Sequence, residues 1–178
     1  VINSGHLNAS SLTQKGGRIL LEGGSIQMTA TSRIEATGKT GGGEVLVGGD
    51  WQGGANAQRR ILSSPDAMRQ AVKITMEPGA VIDVSATDNG QGGQVVVWSN
   101  VNATDSVTLA SGTIWAKGGI NGGEGGRIET SGHFLNADGV QGSASSTLGR
   151  AGEWLFDPTH ISIGTTGTAG ANNDGSTI

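Results

Sequence analysis

The sequence predicts an all-β chain folded as a parallel β-helix, a solenoid of about seven or eight coils. Two observations predict it. Apolar residues come in short alternating runs separated by glycine clusters, and glycine accounts for 33 of the 178 residues. One strand motif also recurs along the chain, which a barrel or an immunoglobulin-like sandwich would not explain. A β-helix explains it, because each coil repeats the same strand and corner.

The first recurring element is two glycines, a polar residue and a triplet that is apolar at alternate positions or throughout. Its copies span 16–21, 42–47, 92–97 and 125–130, with a degenerate fifth copy at 151–156. The second glycines lie 26, 50, 33 and 26 residues apart. This spacing predicts coils of roughly 25 residues with insertions between some of them, which a solenoid tolerates.

The second recurring element precedes the glycine pair by a bridge of similar length in three copies, at 33–38, 81–86 and 113–118. Alternation along a strand sends its residues to opposite faces. One face of these strands is therefore predicted to carry the apolar side chains Ile34, Ala36, Ile82, Val84, Ile114 and Ala116. The other carries Glu35, Asp83 and Trp115.

One stretch departs from the pattern. Residues 57–77 contain no glycine and hold four of the eleven basic residues, so we interpret them as an insertion between coils. Ser64, Pro65 and Asp66 resemble the start of a helix, which predicts a short helix over 65–71. The insertion is either a protruding binding element or basic patch, or a cover for one side of the rod. The β-helix is predicted over 1–163, and 164–178 is a further turn or a flexible linker.

Glycine-rich ligand loops are excluded residue by residue. The run 38–40 resembles the end of a phosphate-binding loop, but Arg33 stands where that loop needs glycine. Val95 occupies the third glycine position of a dinucleotide fingerprint. Arg127 occupies the aspartate position of a calcium-binding nonapeptide repeat.

Composition excludes further classes. The chain has no cysteine, and its three histidines lack ligand spacing, so neither zinc nor another metal is predicted. A net charge of −4 argues against nucleic acid as a partner. No apolar stretch reaches the ~18 residues of a membrane span, and no signal peptide precedes Val1, so we expect a non-spanning piece of a longer chain.

No catalytic residue and no cofactor is predicted. The best acid and base cluster is Asp83, Asp88 and Lys73, which keeps a polysaccharide lyase on a β-helix as an alternative.

Candidate contact residues for a glycan or another partner are Trp51, Trp98 and Trp115, together with Arg59 and Arg60 in the insertion. Exposed tryptophans stack on sugar rings, so a carbohydrate-binding module is a second alternative. The alternative for each tryptophan is that its side chain is buried beneath a corner or loop of the chain itself. Asn8 and Asn102 each begin an Asn-x-Ser/Thr sequon and are candidate glycosylation sites.

Three runs carry a family resemblance, at 42–53, 92–99 and 154–163. In this order they resemble the filamentous-haemagglutinin-type and high-molecular-weight adhesin exoproteins of Gram-negative two-partner secretion systems. The Asn-Pro-x-Gly-type signatures of that family's secretion module are not found here. We therefore expect the chain to be the end of that module or the coils just after it.

The resemblance implies a right-handed parallel β-helix that is secreted to the bacterial outer surface. Its export partner would be a dedicated outer-membrane β-barrel transporter. Its implied role is structural and adhesive, in attachment to a glycan or protein receptor on host cells, to surfaces or to biofilm matrix. Some members of the family are glycosylated at sequons of this kind.

Overall fold

A computed structural model describes residues 1–62 and 67–159. In this part of the chain, fifteen strands form three parallel sheets of five strands each. Strand β(n) pairs with β(n+3) throughout, so every coil gives one strand to each sheet. The strands are β1 Ile2–Asn3, β2 His6–Asn8, β3 Arg18–Leu21, β4 Ser25–Met28, β5 Arg33–Glu35, β6 Glu44–Val47, β7 Lys73–Met76, β8 Val81–Asp83, β9 Gln94–Trp98, β10 Val107–Ala110, β11 Thr113–Trp115, β12 Arg127–Gly132, β13 Phe134–Asn136, β14 Gln141–Ser143 and β15 Glu153–Pro158. The predicted parallel β-helix is confirmed.

The three sheets correspond to three positions in the repeat. Sheet A contains β1, β4, β7, β10 and β13, sheet B contains β2, β5, β8, β11 and β14, and sheet C contains β3, β6, β9, β12 and β15. In sheet C the first residues of the strands are in register, namely Arg18, Glu44, Gln94, Arg127 and Glu153. Their offsets equal the spacings of the glycine-pair motif. The five copies of that motif are therefore the five strands of one sheet, and the second recurring element supplies β5, β8 and β11 of sheet B.

The number of coils differs from the prediction, since the described residues form five coils rather than seven or eight. An uninterrupted coil takes 25 to 28 residues, as the pairs Ile2 with Gln27 and Thr113 with Gln141 show. The other described residues form insertions, chiefly between coils two and three.

The core fills the interior of the solenoid with stacked side chains. Ile34, Ile82 and Ile114 occupy equivalent places in sheet B and are fully buried, and Ile26 lies above Ile74 in sheet A. The alternation predicted for the second element is confirmed. Full burial of an isoleucine side chain stabilises a fold by about 1.5–3 kcal/mol, so each coil adds several such increments.

The corner before sheet C requires glycine. A Cβ on Gly93 would lie 2.0 Å from the carbonyl oxygen of Gly43 in the coil before, and one on Gly126 would lie 2.1 Å from that of Gly93. Successive coils stack there at about 4.8 Å, which leaves no room for a side chain.

The insertion is shifted from its predicted bounds of 57–77. Strand β6 ends at Val47, and 73–76 is strand β7, whose Ile74 and Met76 point into the core. The inserted segment therefore runs over 48–72. A tight 3₁₀-type turn covers Trp51–Gly54, with non-helical backbone angles at Gln52 and Gly53.

The short helix predicted over 65–71 is not found in its described part. Residues 67–70 have no regular structure, and Ala71 forms an isolated bridge with Ser99. Residues 63–66, with the proposed helix start, and 160–178, with the predicted linker, lie outside the described residues. Within the described residues, no helix has the length and apolar character needed to cross a membrane.

Candidate functional site

Sheet C has an apolar outer face as well as an apolar inner face. In β9, Val95 and Val97 point into the solenoid core, whereas Val96 belongs to a separate cluster outside it. The outward position runs through Leu20, Leu46, Val96, Glu129 and Leu155 in register. A strand that is buried on both faces has a continuous run of apolar residues in its sequence. The apolar outer face of sheet C must therefore be covered by another segment of the chain.

The first part of the insertion, residues 48–62, supplies this cover and is called the strap here. Its Trp51 packs with Leu46, Val96 and Trp98 in a second apolar cluster outside the coils. Trp51 and Trp98 are only 1% and 2% exposed. The cluster also takes in Met68, Ile61, Leu62, Val101 and Leu155. Of the two interpretations of the insertion, the structure supports a cover.

Asp50 fixes the shape of the strap. Its carboxylate accepts backbone N–H bonds from Trp51 at 2.7 Å, from Ile61 at 2.8 Å and from Leu62 at 2.7 Å. A carboxylate that accepts several N–H bonds makes charge-assisted interactions, which are about twice as strong as neutral ones. Asp50 thereby ties the two ends of the strap together.

A tight turn directs one backbone donor from the strap onto sheet C. Gln52, Gly53 and Gly54 have positive φ values of 49°, 65° and 82°. Gln52 is the one non-glycine residue with positive φ in the described part of the chain, and this conformation costs it about 1 kcal/mol. The turn places its N–H 2.9 Å from Glu129 Oε2.

Glu129 is a fully buried acid in the apolar outer face of sheet C. Ser131 Oγ donates to its other oxygen, Oε1, at 2.9 Å. Burial raises the pKa of Glu129 from 4.5 to about 7. The bonds from Gln52 and Ser131 oppose this rise, and the nearby carboxylates Asp157 and Asp50 add to it.

The strap also reaches the fifth coil through an ion pair. Arg59 Nη1 lies 2.5 Å from Glu153 Oε1 in β15, which Arg127 Nε also approaches at 3.3 Å. The Arg59 guanidinium lies 5.6 Å from the centre of the Trp51 ring, within cation–π distance. All three charged side chains are partly exposed, so this cluster lies at the rim of the covered face.

The prediction that tryptophan side chains contact a glycan or another partner is therefore wrong for two of the three residues. Trp51 and Trp98 are covered by each other and by the strap, so neither ring is open to a sugar. Trp115 is partly exposed on sheet B, with Lys117 Nζ 4.9 Å from its ring centre. Arg60 is exposed, whereas Arg59 is engaged by Glu153.

The sequon asparagines are both exposed. Asn8 is the last residue of strand β2, and Asn102 lies in the turn between β9 and β10. Their glycosylation remains a prediction.

The acid and base cluster of the lyase alternative is not assembled. Lys73 begins β7 in sheet A, and Asp83 ends β8 in sheet B. Asp88 is held at a corner by Asn121, at 2.7 Å, and by Lys39, at 3.9 Å. No group of three potential metal-binding side chains occurs in the described ranges.

A groove of about 280 Å³ follows the glycine corner between sheets B and C. Lys15, Glu44 and Arg127 are the charged residues that line it. Lys15 and Arg18 pair with Glu44, and Arg127 pairs with Glu153. Each charged side chain of the groove thus has an ion-pair partner.

Sequence reasoning missed Glu129 and its partners. The signal was present in the fourth glycine-pair strand, where Glu129 replaces the middle apolar residue of the triplet. Its burial could not be inferred without knowing which segment covers that face.

No family model matches the chain, and no curated protein matches it. Among solved structures, the chain is similar to the HMW1 secretion domain from Haemophilus influenzae, with 29% sequence identity and a TM-score of 0.57. The match covers 87% of this chain and 37% of that domain. The chain thus spans little more than a third of the length of the solved secretion domain. This similarity extends to sequence as well as fold and supports the resemblance at a coarse level.

Proposed function

We propose that this chain is a β-helical segment of a bacterial exoprotein of the two-partner type, exported through an outer-membrane β-barrel transporter. The observation that carries the proposal is the 29% identity to a secretion domain over 87% of the chain. The segment acts as a structural part of a secreted adhesin at the cell surface, without catalysis.

The architecture suits export as an unfolded chain. In a solenoid each coil contacts its neighbours, so coils can add one after another on the exposed edge of the last coil formed. The absence of cysteine means that no disulfide can form before passage through a pore.

Export is tested in the source bacterium by deleting the gene for the candidate barrel transporter. We expect the parent protein to disappear from the medium and the cell surface and to be degraded inside the cell envelope. The control is a plasmid copy of the transporter gene, which should restore secretion. Unchanged secretion after deletion would contradict the proposal.

The adhesive role rests on the surface left outside the strap. Trp115 next to Lys117 is the partly exposed aromatic platform, and a glycan receptor is the partner class it suits. This observation also favours the second candidate function, a carbohydrate-binding module.

Attachment is tested with beads coated with the 178-residue chain, applied to epithelial cells and to a glycan array. We expect Trp115→Ala to reduce binding at least about tenfold, as loss of a stacking contact implies. Phe134→Ala, which removes an exposed aromatic ring from sheet A, is the matched control and should leave binding unchanged. If the parent chain binds neither surface, the segment is a spacer and the adhesive role is wrong for it.

A further inference from the structure

The strap links coils that do not touch one another. The strap follows β6 of coil two. Its Gln52 N–H donates a hydrogen bond to Glu129 of coil four, 77 residues away in the sequence, and its Arg59 guanidinium donates one to Glu153 of coil five, 94 residues away. In a plain solenoid each coil contacts its immediate neighbours. The strap can therefore dock completely after coil five has formed, and it can leave without disrupting the interior ladders.

We propose that the strap is a pH-sensitive clasp, docked on sheet C when Glu129 is protonated and released when Glu129 ionises. This goes beyond the proposed function and does not depend on it.

Burial of Glu129 favours the protonated form in the docked state and outweighs the hydrogen bonds from Gln52 and Ser131, which favour the carboxylate. The side chain is fully buried and lies in register between Val96 and Leu155. Ser131 Oγ can donate to a carboxylate or accept from a carboxylic acid, so it serves both forms. Release of the strap would remove the bond from Gln52 and return the carboxylate to water.

The surrounding charges do not stabilise the ionised form of Glu129. From the strap, Asp50 is a carboxylate that raises the pKa of Glu129, and from β15 Asp157 acts in the same direction. The cations are Arg59 in the strap and Arg127 in β12, and both bond Glu153 at the rim.

Two other titratable or charged groups lie on the elements that meet here. Arg60 is exposed and lines a small cavity of about 70 Å³ with Asp50. His133 follows β12, and its ring contacts the carbonyl of Val101.

The direction of the pH effect follows from the two pKa values of Glu129. In the docked state it is about 7, and in the released state it returns to the ordinary value of 4.5. A raised pKa in the docked state means that docking is strongest below about 4.5 and weakens as pH rises through 7. Between pH 5 and pH 8 the released fraction relative to the docked fraction should rise about 70-fold.

Neighbouring valines in β9 provide a matched pair of reporters. Val96 lies under the strap and Val97 lies in the solenoid core, and both are fully buried. The parent chain has no cysteine, so Val96→Cys and Val97→Cys each introduce a single thiol in the same strand. Leu12→Cys, at a position 92% exposed, corrects for the intrinsic pH dependence of the thiol reaction.

The measurement is the rate of labelling by a thiol reagent at pH 5 and pH 8, divided by the rate for Leu12→Cys. For Val96→Cys we expect this ratio to rise by about 70-fold from pH 5 to pH 8. For Val97→Cys it should change less than about threefold, because the core stays closed. An equal rise at Val97 would mean general unfolding and would overturn the clasp.

Glu129→Gln tests the residue itself in the Val96→Cys background, since an amide keeps the shape and does not ionise. We expect the ratio to stay within about threefold over the same pH range. A rise as large as that of the unsubstituted Glu129 chain would overturn the assignment to Glu129.

Acrylamide quenching of tryptophan fluorescence in the parent chain needs no cysteine and covers the case in which a variant fails to fold. Quenching should increase from pH 5 to pH 8 as Trp51 and Trp98 become accessible, while the far-ultraviolet circular dichroism stays constant. Constant quenching across this range would overturn the proposal.

Discussion

Substitution of Gly93 by alanine tests the close stacking of coils at the glycine corner. The new Cβ would lie 2.0 Å from the carbonyl oxygen of Gly43 and 2.8 Å from that of Val84. Both oxygens accept corner hydrogen bonds, from Gln94 N–H at 2.9 Å and from Gly93 N–H at 2.8 Å. Coils two and three must therefore move apart locally. Overpacking costs about 1–3 kcal/mol, and a weakened backbone bond adds about 1 kcal/mol.

We expect Gly93→Ala to lower the free energy of unfolding by about 2–4 kcal/mol, measured by urea denaturation followed by circular dichroism. Gly5→Ala is the matched control, because a Cβ there meets nothing within 4 Å. Both substitutions reduce the entropy of the unfolded chain equally, so their difference isolates the clash. If Gly93→Ala were as stable as Gly5→Ala to within about 0.5 kcal/mol, the tight corner would be refuted.

Three further substitutions probe the strap and the core. Asp50→Ala removes the acceptor for the N–H groups of the strap and should cost about 2–4 kcal/mol, with a red shift of tryptophan emission; unshifted emission would contradict its organising role. Ile82→Ala leaves a cavity in the interior ladder and should cost about 2–5 kcal/mol in urea denaturation, against less than about 1.5 kcal/mol for Ile82→Val. Glu153→Ala breaks partly exposed ion pairs and should cost at most about 1 kcal/mol, and the cost should shrink in 1 M salt. A larger loss in the free energy of unfolding that does not depend on salt would contradict the view that Glu153 acts only through partly exposed ion pairs.

The repeat could be predicted from the sequence because its signals are local. Each glycine pair stands directly before its strand, and the alternation around Ile34 and Ile82 lies within a few residues. The offsets between copies then equal the register of sheet C. Sheet A has no such regular marker, since a glycine pair stands before β4 but not before β7 or β10. The predicted number of coils is therefore wrong, and the predicted insertion of 57–77 includes β7.

The candidate site could not be predicted because it depends on contacts between distant parts of the chain. The three apolar residues in β9 show that both faces of a strand are buried, but not what covers them. The prediction that Trp51 and Trp98 contact a ligand is wrong because the sequence does not show that the two rings share one buried cluster, 47 residues apart in the chain. Glu129 lies in a glycine-pair strand like any other polar residue of the sequence, and its burial depends on the strap that covers sheet C, from which Gln52 N–H donates to it.

The strap also has a mechanical consequence. A solenoid under tension along its chain can lose one coil at a time from an end, because each coil is held by its neighbour alone. Here the bonds from Arg59 to Glu153 and from Gln52 to Glu129 lie in parallel with the contacts between coils. Peeling coil five requires that the strap give way as well. The strap therefore adds contacts from coil two that must break before coil four or coil five can separate from the rod.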